Sequence, residues 1–417
     1  MPQESLVAAD PRDRTDGLGW VTRAVFDDPR LRLAVSNGML SWPLLRCGAV
    51  DHAGGPASDA AAARYAIVPS VEKARFLLPL ASRRVTAASV LAYNALRPPR
   101  VRASRAAIGL LARVGALGVT RAPVLSVHAP DGVELLWDHL AGLLGEARLH
   151  AAIGIRPPDP HHKPTLQLFD DAGRPRGYAK IGWNEGTRAM VRAEAATLTA
   201  LPAPGDGMPA APRLLRHTRW HDREVAIVEP MPHEVRRLRH PDRPLIAAML
   251  AVARRGGPPA PPQPVAAFLA GWRRRAAPAI ETAIDALTAR DGHLLVEFGD
   301  WHGDWVPWNM ARRRGALIVW DWENHGSGVP VGFDLAHQAF QTALSTHGRP
   351  AAQCATAVDA ALAEHGAALG LSEAARRFVA DAYLVELWLR TYELSADGAG
   401  WNPKLHPALL HVLEARL

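Results

Sequence analysis

The 417-residue sequence predicts an α+β protein, in which a small antiparallel sheet is followed by a mainly helical half and preceded by a further α/β region. Three observations carry that expectation. Strand-like runs at 151–155, 165–169 and 178–182 are joined by turn-rich connections, RPPDPHHKP (156–164) and DDAGRPRG (170–177), as in a meander. Beyond residue 335 the apolar spacing is helical almost without interruption. Between these lies a break, Glu229-Pro230-Met231-Pro232, suited to a hinge. The expected divisions are 1–148, of unassigned role, 149–229, a strand-rich lobe, and 230–417, a helical lobe. A chain this long exceeds what one core usually serves.

Within 1–148 the pattern is hardest to read. Residues 51–63 read as a loop leading into strand-like runs at 65–69 and 74–80, and helical spacing follows at 85–96 and 103–117. Arg97, Arg100, Arg102, Arg105 and Arg113 decorate the second of these helical stretches. They could form an anionic or acidic-lipid face; a solvated helix surface explains them more simply. Downstream, 187–201 is helical and carries Glu194, and 213–219 and 225–228 are strand candidates. Helical stretches follow at 245–255, 265–290 with an interruption at Pro278, 335–344, 351–369, 372–394 and 407–417.

Hydrophobic residues make up 48% and charged residues 21%, which describes a soluble globular chain. No apolar run reaches the ~18 residues of a membrane span, and the polar N-terminus lacks a secretory pattern. A cytoplasmic location is the default expectation. Cys47 and Cys354 lie too far apart for a metal motif and read as reduced, buried thiols. The net charge of +7 is spread along an arginine-rich chain, so nucleic acid is not an expected partner. Lysine is scarce: only Lys73, Lys163, Lys180 and Lys404 occur, and a retained lysine can mark a site wanting a compact point charge.

Chemistry concentrates in 294–336, LLVEFGDWHGDWVPWNMARRRGALIVWDWENHGSGVPVGFDLA. Asn309 follows Asp304 by five residues, and Asp321 follows Asn309 by twelve, after a strand-like segment at 316–320. Phosphoryl transfer needs a carboxylate to orient the attacking hydroxyl, a metal held against the phosphates and a cation on the phosphates that stay behind. Asp304, in a short loop after a strand, suits the first role. Asn309 and Asp321 are oxygen donors suited to magnesium.

HGDWVPWN, with VWDWE and FDLA after it, resembles the signatures of the aminoglycoside phosphotransferase and choline kinase family, within the protein-kinase-like fold. The resemblance implies a two-lobed kinase fold over about 149–400, with Asp304 as catalytic base and Asn309 and Asp321 binding Mg2+. It implies that His302 and Asp334 brace the loop, with Glu323 assisting at the metal. Upstream it implies that Lys180 contacts the α and β phosphates of ATP and that Glu194, fourteen residues later, is its partner. Lys163, within RPPDPHHKP, reads equally as a phosphate contact, itself or through its neighbouring amides, and as a solvated loop lysine, and Glu229, at the hinge, is the remaining candidate for the nucleotide site. The sequence departs from kinases in one respect: RPPDPHHKP contains no glycine.

The implied activity is ATP- and Mg-dependent phosphorylation of a hydroxyl on a small molecule such as an aminoglycoside, an amino alcohol or a sugar. The alternative is a weak or inactive nucleotide-binding regulatory module. A third reading, phosphorylation of a protein or a lipid-linked glycan, would set the arginines at 97–113 against an anionic surface. Trp301, Trp305, Trp308, Trp320 and Trp322 crowd the motif and read as packing rather than as a stacking platform. Glu386, Glu393 and Asp397 read equally as an acidic acceptor pocket or a solvated helix face.

Overall fold

A computed structural model describes residues 10–40, 42, 61–92, 96–119, 121–205, 207–232, 234–238, 243–255, 257–398 and 404–417. The chain divides into two compact units, Met1–Arg192 with Arg213–His233, and Ala193–Pro212 with Glu234–Leu417.

The first unit is organised by one sheet of nine strands: β1 (Arg32–Met39), β2 (Ala63–Val68), β3 (Phe76–Pro79), β4 (Arg121–His128), β5 (His150–Gly154), β6 (Thr165–Phe169), β7 (Pro175–Gly182), β8 (Leu214–Trp220) and β9 (Arg223–Val228). Their order is β1-β4-β2-β3-β5-β6-β7-β9-β8, and every pairing is antiparallel. The expected meander is β5-β6-β7. The expected boundary at 148/149 falls inside this unit, because β3 pairs with β5 in the register Phe76↔Gly154 and Leu77↔Ile153.

The period of two along each strand decides which helix covers which face. Ala151 and Ile153 join a core with Leu18, Trp20 and Val21 of α1 (Gly17–Val25) and Trp137 and Leu140 of α4 (Leu136–Leu144). Ala152 and Phe169 point the other way, against Val85 of α2 (Arg83–Leu91). α3 (Pro99–Val114) packs on α2, and α5 (Glu185–Ala200) follows β7. Asp16 caps α1 by accepting from the Gly19 N–H at 3.1 Å. Arg223, buried at the start of β9, donates from Nε to the Ala24 carbonyl at 2.9 Å and pairs with Asp27, which fixes the far end of α1.

The second unit is mainly helical. It comprises α6 (Arg243–Ala253), α7 (Ala266–Trp272), α8 (Pro278–Asp291), α9 (Phe333–Gln341), α10 (Ala351–His365), α11 (Glu373–Ala396) and α12 (Leu405–Arg416). Pro278 opens α8 at its first turn, where the missing N–H costs nothing, and this is the interruption expected there. α11 runs through the core, burying Phe378, Tyr383 and Trp388 with Phe333 and Phe340 of α9. Arg416 clamps α12 to Asp359 of α10 and Asp381 of α11, each at 2.7 Å.

Short strands accompany the helices: β10 (Arg236–Arg237), β11 (Gln263–Pro264), β12 (Leu295–Val296), β13 (Phe298–Trp301), β14 (Met310–Arg313), β15 (Ala316–Val319) and β16 (Gly326–Pro330). β13 pairs with β16, and β14 pairs with both β15 and β10. Cys354 is a buried free thiol on α10; Cys47 lies outside the described residues. Among the described residues no helix is long and apolar enough to cross a membrane.

Candidate active site

The loop after β13 is held from behind before it presents anything forward. Asp334, in the first turn of α9, accepts the His302 N–H on Oδ2 at 2.8 Å and the Gly303 N–H on Oδ1 at 3.1 Å. Arg390 of α11 donates to the Gly303 carbonyl at 2.9 Å and lies over the Trp301 ring at 5.3 Å. Gly303 turns the chain at φ 77°, and a Cβ there would come 2.1 Å from the Asn324 carbonyl oxygen, so the turn requires glycine. The His302 ring is fully buried, edge-on to Trp322 at 4.5 Å. Its Nδ1 accepts the Asp304 N–H at 3.2 Å, which leaves Nε2 as the protonated nitrogen, donating to the Trp320 carbonyl at 3.2 Å. Burial lowers its pKa to about 4, consistent with that neutral tautomer.

Asp304 is what this framework displays. Its side chain is 33% exposed. Asn309 Nδ2 donates to Oδ2 at 2.8 Å, and the His337 ring reaches Oδ1 through Nε2 at 3.2 Å. The Tyr383 hydroxyl lies 3.2 Å from His337 Nδ1, so a neutral His337 gives its Nε2 proton to the carboxylate and accepts from the tyrosine. Burial holds His337 below the ordinary imidazole range. Burial pushes the Asp304 carboxyl up, but the His337 hydrogen bond and the Arg390 charge pull it down, and the carboxyl lies below its usual range. Asp334 is pushed up to about 7 by its deeper burial and by the Asp304 charge, against the pull of the two backbone N–H groups and Arg390. One ionised carboxylate is thus surrounded by groups that favour neutrality.

Of the residues singled out in the sequence, the second unit brings His302, Asp304, Asn309 and Asp334 into direct contact. Asp321 follows β15 in left-handed backbone (φ 65°, ψ 57°), close enough for its charge to act on His302. Asn309 is tied to this strand end, its carbonyl accepting from the Trp320 N–H at 3.0 Å. Glu323 sits in the 3-10 turn Trp322–Asn324. Glu194 is buried on α5, in the part of that helix belonging to the second unit.

Lys180, Lys163 and Glu229 belong to the first unit. Lys180 is buried on β7 between Thr165 of β6 and Ala226 of β9. Lys163 Nζ lies 3.7 Å from the Met190 sulfur, and Glu229 is 3.8 Å from Arg213. The glycine-free loop 156–164 spends its carbonyls on structure. Trp20, Asn184 and Trp183 donate to the carbonyls of Arg156, Pro160 and His162 at 2.8, 2.7 and 2.9 Å.

The first of two clusters resolves in favour of structure, and the second divides. Trp305 and Trp322 are fully buried and Trp301 nearly so, while Trp308 is exposed. Glu386 is buried and bound by Arg275 at 2.8 Å and by Trp272 at 2.9 Å, whereas Glu393, which Arg275 also binds at 2.8 Å, and Asp397 are exposed at the end of α11. Sequence reasoning missed His337, Tyr383 and Arg390. His337 had a signal: it lies three residues after Asp334 on the same helix, hence on the same face.

Magnesium suits this donor set. With Nδ2 committed to Asp304, the Asn309 amide leaves its oxygen as the donor atom, on a residue whose backbone is bonded to Trp320, the neighbour of Asp321. Among the described residues no three His, Cys, Asp or Glu side chains converge as a metal site. Few protein oxygens, with water and substrate phosphates supplying the remainder, is how magnesium is usually held.

No family model matches the sequence, and no curated protein matches it. Solved structures do overlap with the fold. A thermostable mutant of aminoglycoside phosphotransferase APH(4)-Ia, in ternary complex with ADP and hygromycin B, aligns at TM-score 0.43 and 13% identity over 67% of this chain and 97% of its own. Amicoumacin kinase hAmiN, in complex with AMP-PNP, Ca2+ and Ami, aligns at TM-score 0.38 and 11% identity over 61% of this chain and 86% of its own. Aminoglycoside 2'-phosphotransferase-IIIa, as its GDP complex, aligns at TM-score 0.38 and 10% identity over 60% and 88%.

Proposed function

We propose that the protein is an ATP- and magnesium-dependent phosphotransferase of the aminoglycoside phosphotransferase and choline kinase type, acting on a hydroxyl group of a small molecule. The observation that carries the reading is the Asp304 carboxylate, ionised, partly open to solvent and fixed by Asn309 and His337 on a loop whose own amides are bound by Asp334. A carboxylate so placed accepts the hydrogen bond of an incoming hydroxyl and aims its oxygen. As that oxygen bonds to the γ-phosphorus, the bond from phosphorus to the β-bridging oxygen breaks, ADP departs and the hydroxyl proton passes to Asp304. A transition state with little bond order to the nucleophile asks mainly for positioning, so a carboxyl of low pKa suffices.

Asn309 and Asp321 would hold the magnesium, which when bound neutralises charge on the phosphates. In this reading Lys180 serves the non-transferred phosphates with Glu194 as its support, and Lys163 and Glu229 lie along the nucleotide. The acceptor is an aminoglycoside, an amino alcohol or a sugar-like molecule.

A screen of hydroxyl-bearing small molecules for acceptor-dependent ADP release tests this. Asp304→Asn should reduce turnover by about 10²- to 10⁴-fold while nucleotide binding persists, since the amide keeps its shape but accepts no proton. Nucleotide binding with no acceptor-dependent turnover, or full activity in Asp304→Asn, would instead indicate a nucleotide-binding regulatory module or a different base.

A further inference from the structure

α3 inverts the usual arrangement of a surface helix. It rests on α2 at Gly109, where a Cβ would meet Leu91 at 3.0 Å, and Gly109 and Ala112 are its buried residues. Arg105 lies on that inner side, donating to the Val90 carbonyl at 2.7 Å and sitting over the Phe76 ring. At about 100° per residue, Leu110, Leu111 and Val114 fall on the opposite half of the helix, while Val101 and Ile108 flank the inner side. That half faces solvent, with Leu110 62% and Val114 60% exposed. Of the nine large hydrophobic side chains exposed among the described residues, five are on α3 and a sixth, Leu91, is on α2.

The charge around this face has one sign. From Lys73 to Arg121 the chain carries ten lysines and arginines and no aspartate or glutamate, and the next acids are Glu72 and Asp131. A compositional preference for arginine accounts for the cations but not for the missing acids, since at the chain's average of 41 in 417 about five would fall in this interval. Arg100 and Arg102 stand in the first turn of α3, which contains no acidic residue of its own, where the helix dipole disfavours positive charge. The helix therefore gives up some stability to keep cations at the rim of an apolar face.

We infer that α3 docks on the surface of an anionic lipid bilayer, inserting Leu110, Leu111 and Val114 among the acyl chains with Arg100 and Arg113 at the headgroups. Size and charge select this occupant. A 16-residue helix is about 24 Å long and presents roughly 240 Å² on one side, far short of the ~800 Å² per partner that a stable protein interface buries. Interfacial attachment needs only a modest apolar face with electrostatic attraction added to it. A second copy seated face to face would bring two cationic rims together with no acids on the segment to offset them. The inference is independent of the reading of Asp304.

Sedimentation of the full-length protein with vesicles tests it. The protein should pellet with vesicles containing phosphatidylglycerol, much less with pure phosphatidylcholine, and the difference should shrink as salt rises. Reversing Arg100→Glu and Arg113→Glu together should lower partitioning by at least roughly 25-fold, about fivefold for each cation near the surface. Leu110→Asp with Val114→Asp should abolish it, and because both side chains are exposed the thermal melt should be unchanged. Equal binding to both lipids, no binding to either, or binding untouched by the aspartates would overturn the inference. So would a dimer in sedimentation velocity that the Leu110→Asp, Val114→Asp variant dissociates, since a second copy would then cover the face.

Discussion

Two loops in this protein are pinned by side chains from outside themselves, and they end in opposite states. The loop 302–309 has its amides taken by Asp334 and a carbonyl by Arg390, and this leaves the Asp304 carboxylate facing outward. The loop 156–164 has its carbonyls taken by Trp20, Trp183 and Asn184, and its Asp159 turned inward onto the His161 N–H at 2.8 Å. Bracing alone therefore does not make a site. What distinguishes the first loop is that its supports satisfy the backbone while one ionised group remains available.

The largest expected effect comes from removing the support shared by His302 and Gly303. Asp334→Ala orphans two buried N–H groups at about 1–3 kcal/mol each, so unfolding by urea should show a loss of about 2–6 kcal/mol. An unchanged midpoint would mean that these amides find other partners and that the loop is held elsewhere.

Next comes pH. His302 has a folded pKa of about 4 against 6.5 unfolded, so below 6.5 the unfolded chain takes up a proton that the folded one refuses. Its contribution is fully present above pH 6.5 and is lost as pH falls toward 4, by up to about 3 kcal/mol. Asp334 opposes this: with a folded pKa of about 7 it costs stability as pH rises from 3.8 toward 7. The two contributions offset each other over one window. Asp334→Asn removes the second, so its urea stability should fall more steeply than that of the parent between pH 6.5 and 4. Parallel profiles would show that Asp334 does not titrate with a raised pKa in the folded chain.

A smaller effect separates holding Asp304 from displaying it. His337→Phe deletes the hydrogen bond to Oδ1 while keeping an aromatic ring beside Tyr383. The Asp304 pKa should then rise, so the acid limb of kcat/KM should move to higher pH, with a neutral-pH rate lowered roughly tenfold by misplacement. A rate loss without movement of that limb would make His337 a packing residue only.

The same contrast explains what the sequence disclosed. Asp304, Asn309 and Asp321 were legible because a reactive loop constrains residue types over short offsets, and the helices after 335 because 3.6-residue periodicity is local. His337, Tyr383 and Arg390 were not, since they act on the loop from α9 and α11, at separations up to 87 residues for Arg390 and Gly303. The first 148 residues resisted for a related reason. β1 pairs with β4, placing Arg32 opposite His128, and β2 sits between β4 and β3, so no stretch of neighbouring residues states the sheet. Joining β3 to β5 is likewise a long-range pairing, and it turned an apparently separate region into part of one sheet.

The smallest effect tests whether that N-terminal region supports the glycine-free loop. Trp20 is buried on α1 and donates its indole N–H to the Arg156 carbonyl at 2.8 Å, with its ring 6.0 Å from that of Trp183. Trp20→Phe keeps an aromatic ring and removes the donor, so stability should drop by about 1 kcal/mol. Amide exchange should quicken within 156–164, while the 302–309 loop, whose supports come from α9 and α11, should exchange as before. If both loops quickened together, their bracing would be one cooperative unit. If neither did, Asn184 and Trp183 would suffice to hold 156–164, and α1 would serve the sheet's core alone.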